Sequence, residues 1–275
     1  MPNRPRLTIV TNDPRAVFQN LVIRGFREVA EPQGFPIRVV DTMHASTSQA
    51  LSDDSGGFLI IANAVPDKRL IDLYARGVPL SLISHQLLPY PIPSVMFNNN
   101  QGIGLLVRHL VEGCGRRHIV YMGGIPQQFD AVQREKAFRH EMLRYGLHVP
   151  EHYLLRGDFS PDTAIRSMAA FVAAGYPFDA VLAADYIMAE AVAATLRSQG
   201  IRVPHDVSVV GFGDAPDAER AGITTVAADV SELGRRAARQ LISQIDGLKI
   251  RGVTTISVEM VIRESCGYHY IGTEV

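Results

Sequence analysis

Phe178-Asp-Ala-Val-Leu-Ala-Ala-Asp-Tyr-Ile-Met-Ala189, continued by Gly200-Ile-Arg-Val-Pro-His-Asp-Val-Ser-Val-Val-Gly-Phe-Gly-Asp214, reads as strand, helix, turn, strand. Each strand ends in a small residue followed by an acid, Ala184-Asp185 in the first and Gly213-Asp214 in the second. Ligands of open α/β sheets bind beyond the carboxyl ends of parallel strands, so the two carboxylates are expected to line one wall of a ligand crevice.

The same alternation runs outward in both directions. Toward the N-terminus, Arg6 to Thr11 reads as a strand closed by Thr11-Asn-Asp-Pro14, a helix-start signal with Asp13 as N-cap and Pro14 at the first helical position. Val17, Leu21, Phe26 and Val29 then recur at helical spacing up to Gly34. Ile37 to Val40, Gly57 to Ala62 and Val78 to Ile83 read as strands, with a helix at Lys68 to Arg76. The unbroken apolar run Gly57-Phe-Leu-Ile-Ile-Ala62 suits a parallel strand covered on both faces. In the second half the pattern predicts helices over 102–114, 132–145, 161–174 and 231–245, with strands over 117–122 and 152–155. Thr224-Thr-Val226 precedes the last of these helices, and two closing strands, 254–258 and 260–263, complete the set. The class is α/β, with doubly wound, mostly parallel sheets.

Composition narrows the function classes. Of the 275 residues 47% are hydrophobic and 20% charged, and the net charge is −1, with no basic run. The electrostatic footprint of a phosphate-binding surface is missing, so DNA contact is expected only through a module outside this chain. The apolar stretches fall short of the roughly 20 residues that span a bilayer. No apolar signal region precedes the first strand, and a cytoplasmic location without membrane contact is expected. Cys114 and Cys266 form no ligand-spaced cluster and read as reduced, partly buried thiols. The nine histidines are scattered, and His44, His109, His118, His140 and His148 read as surface or helix-end residues. Neither a metal site nor a cofactor is expected. No nucleophile elbow, phosphate loop or H-E-x-x-H helix is present, so the chain is not expected to be an enzyme.

Several segments carry a family resemblance in the right order. They are Phe97-Asn-Asn-Asn-Gln-Gly102, His109-Leu-Val-Glu-Gly-Cys-Gly-Arg-Arg-His-Ile119, Ile223-Thr-Thr-Val226 and Glu232-Leu-Gly234. Together with the 178–214 stretch they resemble the effector-binding core of the lactose/galactose-repressor (LacI/GalR) family of transcriptional regulators. The resemblance implies a periplasmic-binding-protein-like fold, with two lobes joined by a three-strand hinge and closing on a small molecule. One lobe would comprise residues 1–99 and 227–258, the other 100–226 and 259–275, with the ligand crevice between them. It also implies a side-by-side homodimer. The family's helix-turn-helix does not fit into Met1 to Pro5. A sensor whose output module follows the last strand through Gly267-Tyr-His-Tyr-Ile-Gly272, or a free solute-binding protein, are the alternatives.

By the same resemblance Arg134 is placed on the ligand, where a guanidinium offers fixed paired donors to oxygen. Phe18 would pack on a ligand ring. By topology Asn12 and Asp13 face the crevice after the first strand, and His85 follows the strand ending near Ile83. Asp185 and Asp214 are the acids of the two strand ends, each also a candidate helix cap. Sugar-binding members carry polar side chains where this chain has Ala184, Gly213 and Ala228. An unpartnered buried hydroxyl costs about 1–3 kcal/mol. A flatter or more apolar effector than a hexose in the usual pose is therefore expected.

Overall fold

The computed structural model describes residues 4–52 and 54–268. His269 to Gly272, within the segment read as leading to an output module, lie outside the described residues. The chain divides into two compact units, residues 1–97 with 229–256 and residues 98–228 with 257–275.

The first unit holds β1 (Leu7–Thr11), α1 (Val17–Ala30), β2 (Ile37–Asp41), α2 (Thr47–Ala50), β3 (Gly57–Ile61), α3 (Asp67–Ala75), β4 (Leu80–Ile83) and β5 (Ser94–Phe97). The second begins at α4 (Asn99–Arg108) and continues through β6 (Ile119–Gly123), α5 (Phe129–Arg144), β7 (Leu154–Arg156), α6 (Pro161–Ala173) and β8 (Ala180–Ala183). It then runs through α7 (Tyr186–Ser198), β9 (Ser208–Phe212), α8 (Pro216–Arg220) and β10 (Thr224–Ala227). The chain returns to the first unit with α9 (Val230–Ile245) and β11 (Val253–Ile256), and back to the second with β12 (Glu259–Val261).

Each unit is built on a six-stranded sheet, ordered β11-β5-β4-β3-β1-β2 in the first and β12-β10-β9-β8-β6-β7 in the second. The first sheet is parallel throughout, and in the second only β12 runs antiparallel, against β10. The central strands β1, β3, β4, β6, β8 and β9 are buried at every position, which is why they read as continuous apolar runs. The edge strand β2 is only half-buried. Both sheets reverse direction of growth about their first strand. β1 is flanked by β2 and β3, and β6 by β7 and β8, which makes a topological switch point at the carboxyl ends of β1/β3 and of β6/β8.

Local chemistry moved several boundaries from their sequence-based positions. The first helix starts at Val17 rather than at Pro14, with Ala16 as N-cap and no capping side chain. Asp13 instead closes a turn, its Oδ1 accepting from the Arg15 N–H at 3.0 Å. α4 starts at Asn99 rather than Gly102, because the Asn98 side chain accepts from the Gln101 N–H and caps it. That cap draws Asn98 into the second unit, and Val258 follows because its N–H donates to Gln101 Oε1. The chain passes between the units after Phe97, Ala228 and Ile256. β5 is a strand beyond those that the sequence pattern names.

Candidate functional site

At the switch point of the second unit, Ala184 directly follows β8 and its carbonyl accepts from the helix that follows β6. That helix, α5, delivers Arg134, whose side chain is buried. Arg134 Nη1 donates to the Ala184 carbonyl at 2.7 Å, and Nε donates to Asn99 Oδ1 at 2.8 Å. Asn99 in turn donates from Nδ2 to Asp130 Oδ1 at 2.8 Å, and Asp130 Oδ2 stands 3.6 Å from Arg134 Nη2. The guanidinium carbon lies 3.8 Å from the centre of the Phe212 ring, at the end of β9. A guanidinium has five N–H donors. Among the described residues two are engaged, and Nη2 is held by charge without a hydrogen bond.

Two further polar groups belong to this edge of the second sheet. Asp185 caps α7, its Oδ1 accepting from the Met188 N–H at 2.8 Å. Burial pushes its carboxyl up to about 6, against the opposing pull of that N–H and of Arg134. Tyr121 on β6 stacks on Phe138 at 4.9 Å, and its buried hydroxyl has no partner among the described residues. Burial holds the phenol proton more firmly than usual.

Asp214 is placed differently from its expected role. It neither caps α8, whose N-cap is Ala215, nor stands free. Arg263 grips it with both terminal nitrogens at 2.9 Å, and the Thr225 hydroxyl donates to Oδ1 at 3.2 Å. Its charge is answered within the wall of the unit.

In the first unit the parallel register puts Asn12 and Asp13 after β1, Ala62 after β3 and His85 after β4, all at one edge of the sheet. Asn12 and Asp13 are exposed and Phe18 is half-buried in α1. His85 is buried, with Nε2 2.9 Å from Asp67 Oδ1, while its Nδ1 has no partner among the described residues. Thr11 Oγ1 and Ser84 Oγ are likewise buried and unpartnered there. Ala62 and Ser84 adopt φ of 50° and 53°, a region costly for side chains with a Cβ. Buried polar atoms without partners and strained backbone thus gather at the strand ends where a ligand is received in this sheet type.

Of the residues named from sequence, Arg134 and Asp185 stand at this edge of the second sheet, and Asn99, Asp130, Phe212 and Tyr121 beside them were not named. Asp130 was detectable as an acid one helical turn before Arg134. Asn99 stands in the Asn98-Asn-Asn100 run used for the family resemblance, and Phe212 in Gly211-Phe-Gly213. Nothing in the local pattern marks Tyr121.

The Asp185 carboxyl binds its proton more tightly folded than its ordinary value of 3.8 allows. Stability from this group should therefore be greatest below pH ~4, fall as pH rises to ~6, and stay level above that. Asp185→Asn keeps an acceptor for the Met188 N–H and cannot ionise. Urea unfolding between pH 4 and 7.5 should show the wild type losing more stability than Asp185→Asn. Parallel pH curves would refute the assignment.

Comparison with known proteins agrees with this architecture. Residues 107–266 match the family described as periplasmic binding protein-like domain. The transcriptional regulator CelR of Thermobifida fusca is 31% identical over 192 residues, 69% of this chain and 54% of that protein. The transcriptional repressor CytR of Escherichia coli (strain K12) is 23% identical over 269 residues, 94% of this chain and 78% of that protein. This chain thus spans about half of the first relative's length. The solved complex of the transcriptional regulator CelR with cellobiose has a TM-score of 0.82 at 25% identity, covering 96% of this chain and 86% of that one. With two doubly wound units and a guanidinium at the switch point of the second, the chain belongs to the periplasmic binding protein-like family, as an effector-binding domain of the LacI/GalR type.

Proposed function

We propose that this domain senses a small molecule for a transcriptional regulator, and that Arg134 is its principal ligand contact. The observation that carries the reading is the Arg134 guanidinium itself. It is buried, oriented by Asn99, Asp130 and the Ala184 carbonyl, backed by Phe212, and retains N–H donors not used in hydrogen bonds. Donors fixed in this way meet a ligand oxygen without first being ordered, which is the source of affinity in a preorganised site. Tyr121 and Asp185 complete the polar set on this unit. Asn12, Asp13, Phe18 and His85 are the candidate contacts that the first unit carries at and beyond its own strand ends, and a ligand acts by binding one state of the domain more tightly than another.

The reading places the protein in the cytoplasm as a homodimer without catalytic activity. Among the described residues no helix is long and apolar enough to cross a membrane. The relatives reported above are regulators rather than enzymes. Ala184, Gly213 and Ala228 offer no side-chain partner for a hydroxyl. The effector is therefore a molecule with one oxygen-rich end for Arg134 and an apolar or flat body, rather than a hexose held through every hydroxyl.

A thermal-shift panel tests this. Cellobiose, simple hexoses, nucleosides and small carboxylic acids are added to the purified chain, and hits are repeated on Arg134→Lys and Tyr121→Phe. A ligand at 100 times its Kd stabilises the folded state by about 2.7 kcal/mol. The expected result is a rise in melting temperature with an aromatic or carboxylate-bearing compound, lost in Arg134→Lys. A hit of equal size in Arg134→Lys, or none across the panel, counts against the proposal.

A further inference from the structure

Three soft-ligand side chains that sequence spacing keeps apart meet at the far end of α4. His109 opens a π-helical turn, His109–Gly113, that extends α4, and Cys114 follows at its end. Cys266 arrives 152 positions later on a short 3₁₀ turn, Glu264–Cys266, packed beside β9 and β10. The ligand atoms of the three residues all lie within 4.8 Å of one another, and His109 Nε2 stands 3.6 Å from Cys114 Sγ. Both cysteines are buried and neither is in a disulfide. Cys114 and Cys266 are thus free thiols and His109 ends α4, as the sequence pattern reads them, and the fold adds that the three stand together.

We propose that His109, Cys114 and Cys266 form a binding site for a thiophilic divalent cation, Zn(II) by preference, with three protein ligands and one open position. The distances suit the ion. Bonds of about 2.3 Å to sulfur and about 2.05 Å to nitrogen, at a tetrahedral angle, put sulfur and nitrogen about 3.6 Å apart and two sulfurs about 3.8 Å apart. The first matches the His109–Cys114 separation, and the second lies inside the limit that encloses all three atoms. Charge also fits. Binding releases two thiol protons to solvent and leaves two thiolates that neutralise the cation, so a buried position carries no net charge. Soft sulfur ligands select this class of metal over Mg(II) or Ca(II).

The ligands are held before any ion arrives. The Ser265 hydroxyl donates to the Val209 carbonyl at 2.6 Å and accepts from the Thr224 N–H at 2.8 Å. The Ser208 hydroxyl donates to the Cys266 carbonyl at 2.7 Å. On the other side, the Cys114 N–H donates to the His109 carbonyl at 3.0 Å. The imidazole packs against Tyr268 at a 44° tilt with ring centres 5.3 Å apart, and any side chain at Gly113 would crowd it, a Cβ there lying 3.2 Å from His109 Nδ1. π-helical turns recur at functional sites because the extra residue re-aims a side chain.

The test is an anaerobic titration of the reduced chain with Co(II), followed by displacement with Zn(II). One equivalent of cobalt should give a thiolate-to-cobalt charge-transfer band and the strong visible bands of a tetrahedral site, both abolished by one equivalent of zinc. Loss of an outer partner costs a metal site 10–100-fold in affinity, so Cys114→Ser and His109→Ala, which remove ligands, should each lose at least about 100-fold. Cys114→Ser should also halve the charge-transfer band per bound cobalt, and His109→Ala should leave it unchanged. Because Cys266 is fully buried and its serine variant risks misfolding, the half-exposed His109 and the melting-temperature gain on adding zinc serve as the second readout. A cobalt spectrum without the sulfur band, or variants within threefold of the wild-type affinity, overturns the proposal.

Discussion

Arg134→Ala is expected to lower the unfolding free energy by about 3–5 kcal/mol, the range for removing one partner of a buried charged network. The truncation leaves two acceptors without their donor and one carboxylate without its cation. Asn99 Oδ1 and the Ala184 carbonyl lose hydrogen bonds of 2.8 and 2.7 Å, and the Asp130 carboxylate, itself little exposed, loses its cation. The Phe212 face loses the guanidinium stacked on it. Arg134→Lys should fall between the two, because an ammonium keeps the charge near Asp130 but cannot reach Asn99 and Ala184 together as a planar fork does. Most of the loss in the alanine variant is the cost of an uncompensated carboxylate. Adding Asp130→Asn to Arg134→Ala should therefore return at least about 1 kcal/mol. Urea denaturation of these four proteins and of the Asp130→Asn single variant measures this. A single variant within ~1 kcal/mol of wild type, or a double variant that simply adds the two losses, would show that the network does not hold this end of the sheet together.

The contrast between what was legible and what was not follows from the range of the interactions. β1, β3, β8 and β9 were readable because a strand covered on both faces must be apolar at every position, a rule that acts within five residues. Asp185 was readable as a cap for the same reason: its partner, the Met188 N–H, is three residues away. The pairing of Asp214 with Arg263 was not readable, because the two stand 49 residues apart and no local pattern announces a pairing of that span. Arg134 was identified by resemblance, yet the groups that orient it lie 35 and 50 residues distant. The His109, Cys114 and Cys266 cluster is the extreme case, since ligand-spacing rules presuppose that a site is made by one short segment. Chemistry assembled by the sheet's connectivity is visible only once the sheet is built.

The Glu232-Leu-Gly234 segment carried family resemblance without a physical reason, and the structure supplies one. α1 and α9 cross at backbone contact in the first unit: a Cβ added at Gly234 would stand 2.0 Å from the Val22 carbonyl oxygen and 2.6 Å from the Phe26 nitrogen. The relation is reciprocal, for a Cβ at Gly25 would stand 1.9 Å from the Ser231 carbonyl oxygen. Neither obstacle is the end of a flexible side chain, so the helices themselves must part by about 1 Å or more. Parting them opens the interface where Val22, Phe26, Leu233 and Ala237 are fully buried, and strain of this kind typically costs 1–3 kcal/mol and occasionally more. Because backbone meets backbone, Gly234→Ala is expected at or above the top of that range, about 3 kcal/mol. At 2–4 °C per kcal/mol for a domain of this size, the melting temperature should drop by roughly 6–12 °C. Gly104→Ala is the control, since Gly104 lies within α4 with its nearest neighbour atom 3.6 Å away, and there alanine should stabilise by about 0.5–1 kcal/mol. Once one alanine has separated the helices, the second meets less resistance. Gly25→Ala with Gly234→Ala should therefore cost clearly less than the sum of the single losses. Amide exchange should locate the damage in α1 and α9 while β6, β8 and β9 keep their protection. A Gly234→Ala variant as stable as Gly104→Ala, or strictly additive losses, would mean that the two helices are not fixed by this contact.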